Sequence, residues 1–185
     1  MASRGGGEPF AASARWVRPS HFTASQKEFA VTDIAQDQDI VKVLQSQHDQ
    51  VREMLATIGK ASASDRAGSF QELISMLKAH EAAEESVVYP AIRSVGGESV
   101  ANQRVAEEKE AETVIAGLEK ADPASSEFAE KFNKFHAAVE KHASAEESEV
   151  FPLLSKKFDN DKRREMGSEL QQVEQQHGWT PNGRH

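Results

Sequence analysis

The chain predicts an all-α fold, an up-down-up-down four-helix bundle with a short extra C-terminal helix. Three observations predict it. From about Asp33 onward apolar residues recur at alternating steps of three and four, and no segment alternates in the two-residue period of a strand. Four long amphipathic stretches follow one another through short connections, which favours antiparallel neighbours. An eleven-residue stretch also occurs twice, HEAAEESVVYP from His80 to Pro90 and HASAEESEVFP from His142 to Pro152, with seven positions identical and an offset of 62 residues. The second pair of helices therefore repeats the first, as a duplication within one bundle.

Residues 1–32 carry Gly5-Gly6-Gly7, two prolines and scattered Ala and Ser, and read as a flexible N-terminal tail. The bundle is placed at 33–156, and a short helix with the C-terminal tail at 157–185. Helix one is expected at about 36–60, with Val41, Leu44, Val51, Leu55 and Ile58 on one face. Helix two is expected at about 66–90, with Asp65 as N-cap and Phe70, Leu73, Leu77 and Val87 or Val88 inward. Gly96-Gly97 breaks the chain. Helix three follows at about 99–120, with Val105, Ala111, Ile115 and Leu118 inward. Asp122-Pro123 signals the start of helix four at about 124–152, with Phe128, Phe132, Phe135, Val139, Val150 and Leu153 inward. Pro90, Pro123 and Pro152 are expected at element boundaries. A last piece at about 160–176 shows Met166, Leu170 and Val173 and is expected to lie across the bundle, before an irregular tail, HGWTPNGRH.

At 185 residues the chain suits one domain with a sizeable core. It has no Cys, which excludes thiolate metal sites, iron–sulfur clusters, disulfides and thiol catalysis. Thirty acidic against 22 basic residues give a net charge of −8, which argues against a general nucleic-acid binder. No apolar run approaches the roughly 20 residues of a membrane span. Arg4, Arg15 and Arg18 precede no apolar stretch of the secretory kind, so a soluble cytoplasmic protein is expected.

The informative residues are polar ones in the apolar stripe. Helix one reads Val41, Leu44, His48, Val51, Leu55, Ile58, so His48 fills a core slot. Helix two reads Leu77, His80, Glu84, Val87, and helix four reads Val139, His142, Glu146. Glu85 and Glu147 are turned by about 100° from that stripe and are expected at solvent or the bundle edge. Aligning the repeat by its apolar positions sets Glu108 opposite His48, with Glu112, one turn later, as the alternative if the register slips. Three carboxylates and three imidazoles, with no Arg or Lys in the stripe, would leave a buried excess of negative charge costing several kcal/mol per ion. Cations resolve it. Imidazole with carboxylate and no sulfur suits iron or manganese, and also zinc. Six donors from four helices are more than one ion takes, and two ions bridged by Glu84 and Glu146 use them.

The pattern His48, His80-x3-Glu84, Glu108, His142-x3-Glu146, with an aromatic-Pro after each pair, resembles the hemerythrin-like family, also called the HHE cation-binding domain, over about 36–155. The resemblance implies a four-helix bundle holding two non-haem iron ions, oxo- or hydroxo-bridged. It implies His48, His80 and His142 as terminal nitrogen ligands and Glu84 and Glu146 as bridges. The family commonly supplies His on helix three, where this chain has Glu108, and oxygen-carrying members use five His. A carboxylate there favours ferric iron and a lower reduction potential. The expected function is therefore binding or sensing of dioxygen, nitric oxide or peroxide in a redox or nitrosative stress response, not simple oxygen carriage. A peroxide-disproportionating di-iron enzyme and an iron-handling protein are the alternatives. No nucleic acid or membrane is expected as partner, and a sensing output would fall to a separate, unspecified protein.

Other residues take plainer readings. Tyr89, whose repeat counterpart is Phe151, is assigned to core packing, and His136 to the surface. His21, His177 and His185 fall in tails, and Lys156-Lys157 with Lys162-Arg163-Arg164 form a solvated basic face.

Overall fold

A computed structural model describes residues 38–180. The expected tail at 1–32, residues 36 and 37 of the first expected helix, and His185 lie outside the described residues. Among the described residues there is no strand. The helices are α1 (Ile40–Lys60), α2 (Ala63–Ala83), α3 (Tyr89–Ser94), α4 (Glu98–Leu118), α5 (Ser126–Ala145), α6 (Phe151–Lys157) and α7 (Asn160–Gln176). α2 runs into α3, and α5 into α6, each through a single π-turn, Glu84–Val88 and Glu146–Val150. α1 packs on α2 and α5, α3 on α4, and α4 on α5, which is the up-down-up-down order. No helix among the described residues is long and apolar enough to cross a membrane.

The two π-turns occupy the same place in the two copies of the repeat. In each, an N–H bonds five residues back, Tyr89 to the Glu84 carbonyl and Phe151 to the Glu146 carbonyl. One extra residue turns the following stripe by about 100°. Val88, Tyr89 and Ile92 are therefore buried, and Leu154 takes the slot expected for Leu153. Pro90 and Pro152 stand at the second position of α3 and α6, as expected at element boundaries, although each boundary is a π-turn that the helix runs through without a break. A proline ring in a regular helix clashes with the carbonyl four residues back, and here each ring follows directly on a widened turn.

Serines cap where aspartates were expected. Ser62 Oγ accepts from the Asp65 N–H at 3.4 Å and donates to Asp65 Oδ2 at 2.6 Å, so α2 begins three residues early and Asp65 sits in its first turn. Ser125 Oγ accepts from the Phe128 N–H at 3.1 Å, while Asp122 closes the preceding turn by accepting from Ala124 N–H at 2.9 Å.

The core has two apolar clusters. One is built around Leu55, Phe70, Leu73, Phe128, Phe132 and Phe135, the other around Leu44, Val88, Ile92, Val150 and Leu154. Between them lies a band of buried polar residues. Val105, Ala111 and Val139, expected inward, are only half-buried, and Arg104 takes the α4 slot ahead of Glu108.

α7 is more than an appendage, since it packs on α1, α2 and the first π-turn. Contact is tight at Gly167, where a Cβ would stand 1.9 Å from the Gln38 carbonyl oxygen. Arg163 Nε bonds Asp39 Oδ2 at 2.8 Å, which ties part of the expected basic face to the start of α1. The helix ends in a Schellman turn. Gly178 has φ 84°, Trp179 N–H reaches the Glu174 carbonyl at 3.0 Å, and Gly178 N–H reaches that of Gln175 at 3.1 Å. The segment expected to be irregular thus folds Trp179 back into the phenylalanine-rich cluster.

Candidate metal centre

The polar band contains all six residues singled out from the sequence, five of them buried and His142 17% exposed. His48, His80, Glu84 and Glu146 offer donor atoms that all lie within 4.8 Å of one another. Glu84, Glu108 and His142 form a second such group, so the two share Glu84. Glu146 also reaches both sides, with Oε2 at 3.3 Å from His48 Nε2 and 3.6 Å from His142 Nε2. The 3.6-residue period sets this up: His80 and Glu84, one turn apart on α2, approach to 3.3 Å. Glu108, not Glu112, faces inward, for Glu112 is exposed.

Each imidazole turns Nε2 toward the centre and Nδ1 outward to a holding group. His48 Nδ1 is 3.0 Å from Glu147 Oε1, and His142 Nδ1 is 3.2 Å from Glu107 Oε2. A carboxylate oxygen only accepts, so Nδ1 carries the proton and Nε2 is the nitrogen left to coordinate. His80 Nδ1 meets Gln47 Oε1 at 2.8 Å, and Gln47 Nε2 donates to Glu174 Oε1 at 2.8 Å. The amide nitrogen is thus occupied by Glu174 and the amide oxygen faces His80, which selects the same tautomer. Two arginines complete the frame. Arg52 Nη1 bonds Glu147 at 2.8 Å, and Arg104 Nη1 lies 3.1 Å from Glu107.

Glu147 lies at the bundle edge, one of its two expected places, where Arg52 and His48 draw it between α1 and the second π-turn. Two other expectations fail here. The stripe is not free of basic residues, since Arg104 is 1% exposed. Tyr89 is not simply core packing: its hydroxyl donates to Glu108 Oε1, lies 2.9 Å from Glu146 Oε1 and 3.5 Å from Glu84 Oε2. Its counterpart Phe151 stacks on His48, with ring centroids 5.4 Å apart. The π-turn is the reason, since it brings the residue five after Glu84 onto the face that Glu84 occupies. His136 is half-buried beside Phe132.

The electrostatics describe a site short of positive charge. Burial pushes Glu108 up to about 9, against the Tyr89 hydrogen bond that lowers it. Burial, then the Glu146 and Glu108 charges, raise Glu84 well above the usual carboxylate range. Burial and the neighbouring His48 push His80 down to about 3, so it is neutral at pH 7 as a metal ligand must be. Burial also raises the Tyr89 phenol, with the Glu84 charge next. Five buried polar atoms of the expected ligands have no hydrogen-bond partner: His48 Nε2, Glu84 Oε1, Glu108 Oε2, His142 Nε2 and Glu146 Oε2. Such orphans are costly in a native core, and all five belong to residues of the two donor groups. Hard oxygen and imidazole donors without sulfur fit iron or manganese, and also zinc.

Gln47, Arg52, Tyr89, Arg104, Glu107, Glu147 and Glu174 are the residues whose part in the site sequence reasoning missed. A signal existed for two of them. Arg104 stands four before Glu108 on the same stripe, and Glu174 stands four after Leu170.

A family model described as the hemerythrin HHE cation binding domain matches residues 39–154. A curated relative, a DNA nickase from Nostoc sp. (strain PCC 7120 / SAG 25.82 / UTEX 2576), is 24% identical over 136 residues, covering 73% of this chain. The chain spans 39% of that relative's length. No solved structure matches the chain significantly.

Proposed function

The chain belongs to the hemerythrin HHE cation-binding family, and on that premise we propose that it is a cytoplasmic non-haem di-iron protein. In this reading it binds or senses dioxygen, nitric oxide or peroxide in a redox or nitrosative stress response, and it is not a simple oxygen carrier. The observation that supports this best is the pair of donor groups joined at Glu84, with five orphaned donor atoms between them. His48, His80 and His142 would hold the metals through Nε2, Glu108 through a carboxylate oxygen, and Glu84 and Glu146 from between them. When bound, the iron pair supplies an open coordination position and the electrons for chemistry with a small oxidant.

The chain's own residues do the rest. Glu147, Glu107 and Gln47 fix the three imidazoles in one tautomer. Tyr89 donates to the carboxylate cluster and keeps a proton beside it. Glu108 adds an anionic donor where the family commonly has imidazole, which favours the ferric state. His142 is 17% exposed against 3% for His48, so a ligand would arrive from the His142 side.

A peroxide-consuming enzyme is the second reading, favoured by the Tyr89 hydroxyl as a proton donor at the site. The activity named for the Nostoc relative is not carried over, because the chain spans 39% of that protein and its net charge of −8 gives no general attraction to a polyanion. Titration of iron-loaded protein with nitric oxide and with peroxide separates the readings. Stoichiometric adducts without turnover are expected. Oxygen evolution from peroxide that scales with iron and is lost in His48→Ala would replace sensing with catalysis, and ready loss of iron to a weak chelator would point to iron handling.

A further inference from the structure

A cavity of about 180 Å³ opens from the flank of the bundle onto the inward faces of His48, His80, Glu108 and His142. It lies on the phenylalanine side of the polar band, and Val51, Leu77, Ala111, Val114, Phe135 and Val139 line its walls. The space has a sequence origin. At the slot one turn beyond Glu108, α4 carries Ala111 where its repeat counterpart on α1 carries Val51, and the exposed Ala138 leaves the mouth wide.

The volume exceeds what a diatomic gas needs. An apolar cavity of about 150 Å³ holds a benzene molecule. Charge narrows the class of ligand further. The lining carries Glu107, Glu110 and Glu140 against Arg52 and Lys141, a small acidic excess that gives an anion no attraction. Arg52 is already tied to Glu140 at 3.0 Å and Glu147 at 2.8 Å, so it is engaged with carboxylates of its own chain. Apolar walls in turn disfavour a small hydrated cation.

We infer that this cavity is a binding site for a small neutral organic molecule, a single aromatic ring or a compact alkyl group, held against the metal-facing imidazoles. This rests on the metal reading only for what forms the cavity floor. The ligand enters past Ala138 and packs its apolar body on Phe135 and Val139.

Fluorobenzene is a suitable probe, followed by fluorine NMR on the full-length protein, both iron-loaded and chelator-stripped. Saturable binding of one equivalent is expected in both forms. Ala111→Phe, which fills the cavity, and Ala138→Trp, which blocks its exposed mouth, are each expected to weaken binding by about tenfold or more. Ala138→Trp lies outside the core, so it remains informative if Ala111→Phe folds poorly. Absence of saturable binding to the unaltered protein, or undiminished binding to both variants, would overturn the inference. Iron content measured on the same samples reports on the metal reading separately.

Discussion

Gln47 and Glu174 stand 127 positions apart and share a 2.8 Å hydrogen bond, the link by which α7 reaches His80. Glu174 is fully buried, and burial pushes it up to about 7 against the lowering effect of Gln47. It lies beyond residues 39–154 matched by the family model. Glu174→Gln keeps the shape but removes the carboxyl behind the His80–Gln47 pair. Outer partners of metal-bound imidazoles are worth about 10–100-fold in metal affinity, so iron retention in a chelator competition should fall by that order. Unchanged retention would make the contact merely structural.

Gly167→Ala tests the docking of the same helix. In an open helix the change would gain up to about 1 kcal/mol of propensity. Here the new Cβ would stand 1.9 Å from the Gln38 carbonyl oxygen, and backbone cannot yield as a side chain can. The expected result is a loss of about 1–3 kcal/mol in chemical denaturation, as for overpacked sites, with looser iron because Glu174 moves away from Gln47.

Tyr89→Phe removes a phenol donor facing Glu84, Glu108 and Glu146. Buried acceptors left without a donor cost about 1–3 kcal/mol, so the metal-free protein should be destabilised by that much. The loss should be smaller in iron-loaded protein, where cations satisfy the same oxygens. Equal losses in both forms would place the hydroxyl outside the cluster's charge balance.

The metal-free protein should lose stability as pH rises. Glu108 is held up to about 9 and Glu84 well above its usual range, so over much of the range the folded state keeps protons that the unfolded state has released. His80 acts in the opposite direction: with a folded value near 3 against 6.5, it costs stability only as pH falls below 6.5. Between 6.5 and about 9 the carboxyls therefore act without His80 opposing them. Melting temperatures of chelator-stripped protein should fall more steeply across that window than those of iron-loaded protein, in which Glu81 and Glu174, raised to about 8 and about 7, still lose protons. Parallel falls would show that metal does not displace those protons.

The sequence made the ligand positions readable because each is a polar residue on an apolar stripe of fixed period, as His48 and Glu108 illustrate. Tyr89 and Leu154 escaped because a π-turn changes that period, and regular 3.6-residue counting has no place for the extra residue. Glu147 and Glu107 escaped because a carboxylate at a bundle edge takes its role from the Arg52 or Arg104 it meets, which periodicity does not encode. Glu174 required knowing that α7 docks on α1, and the tight approach at Gly167 becomes visible only in three dimensions.

The most direct test of the central claim is metal analysis of the purified chain combined with its optical spectrum. The shared position of Glu84 between two donor groups predicts two iron ions per chain, with near-ultraviolet charge-transfer bands. A single metal per chain, or zinc without such bands, would contradict it.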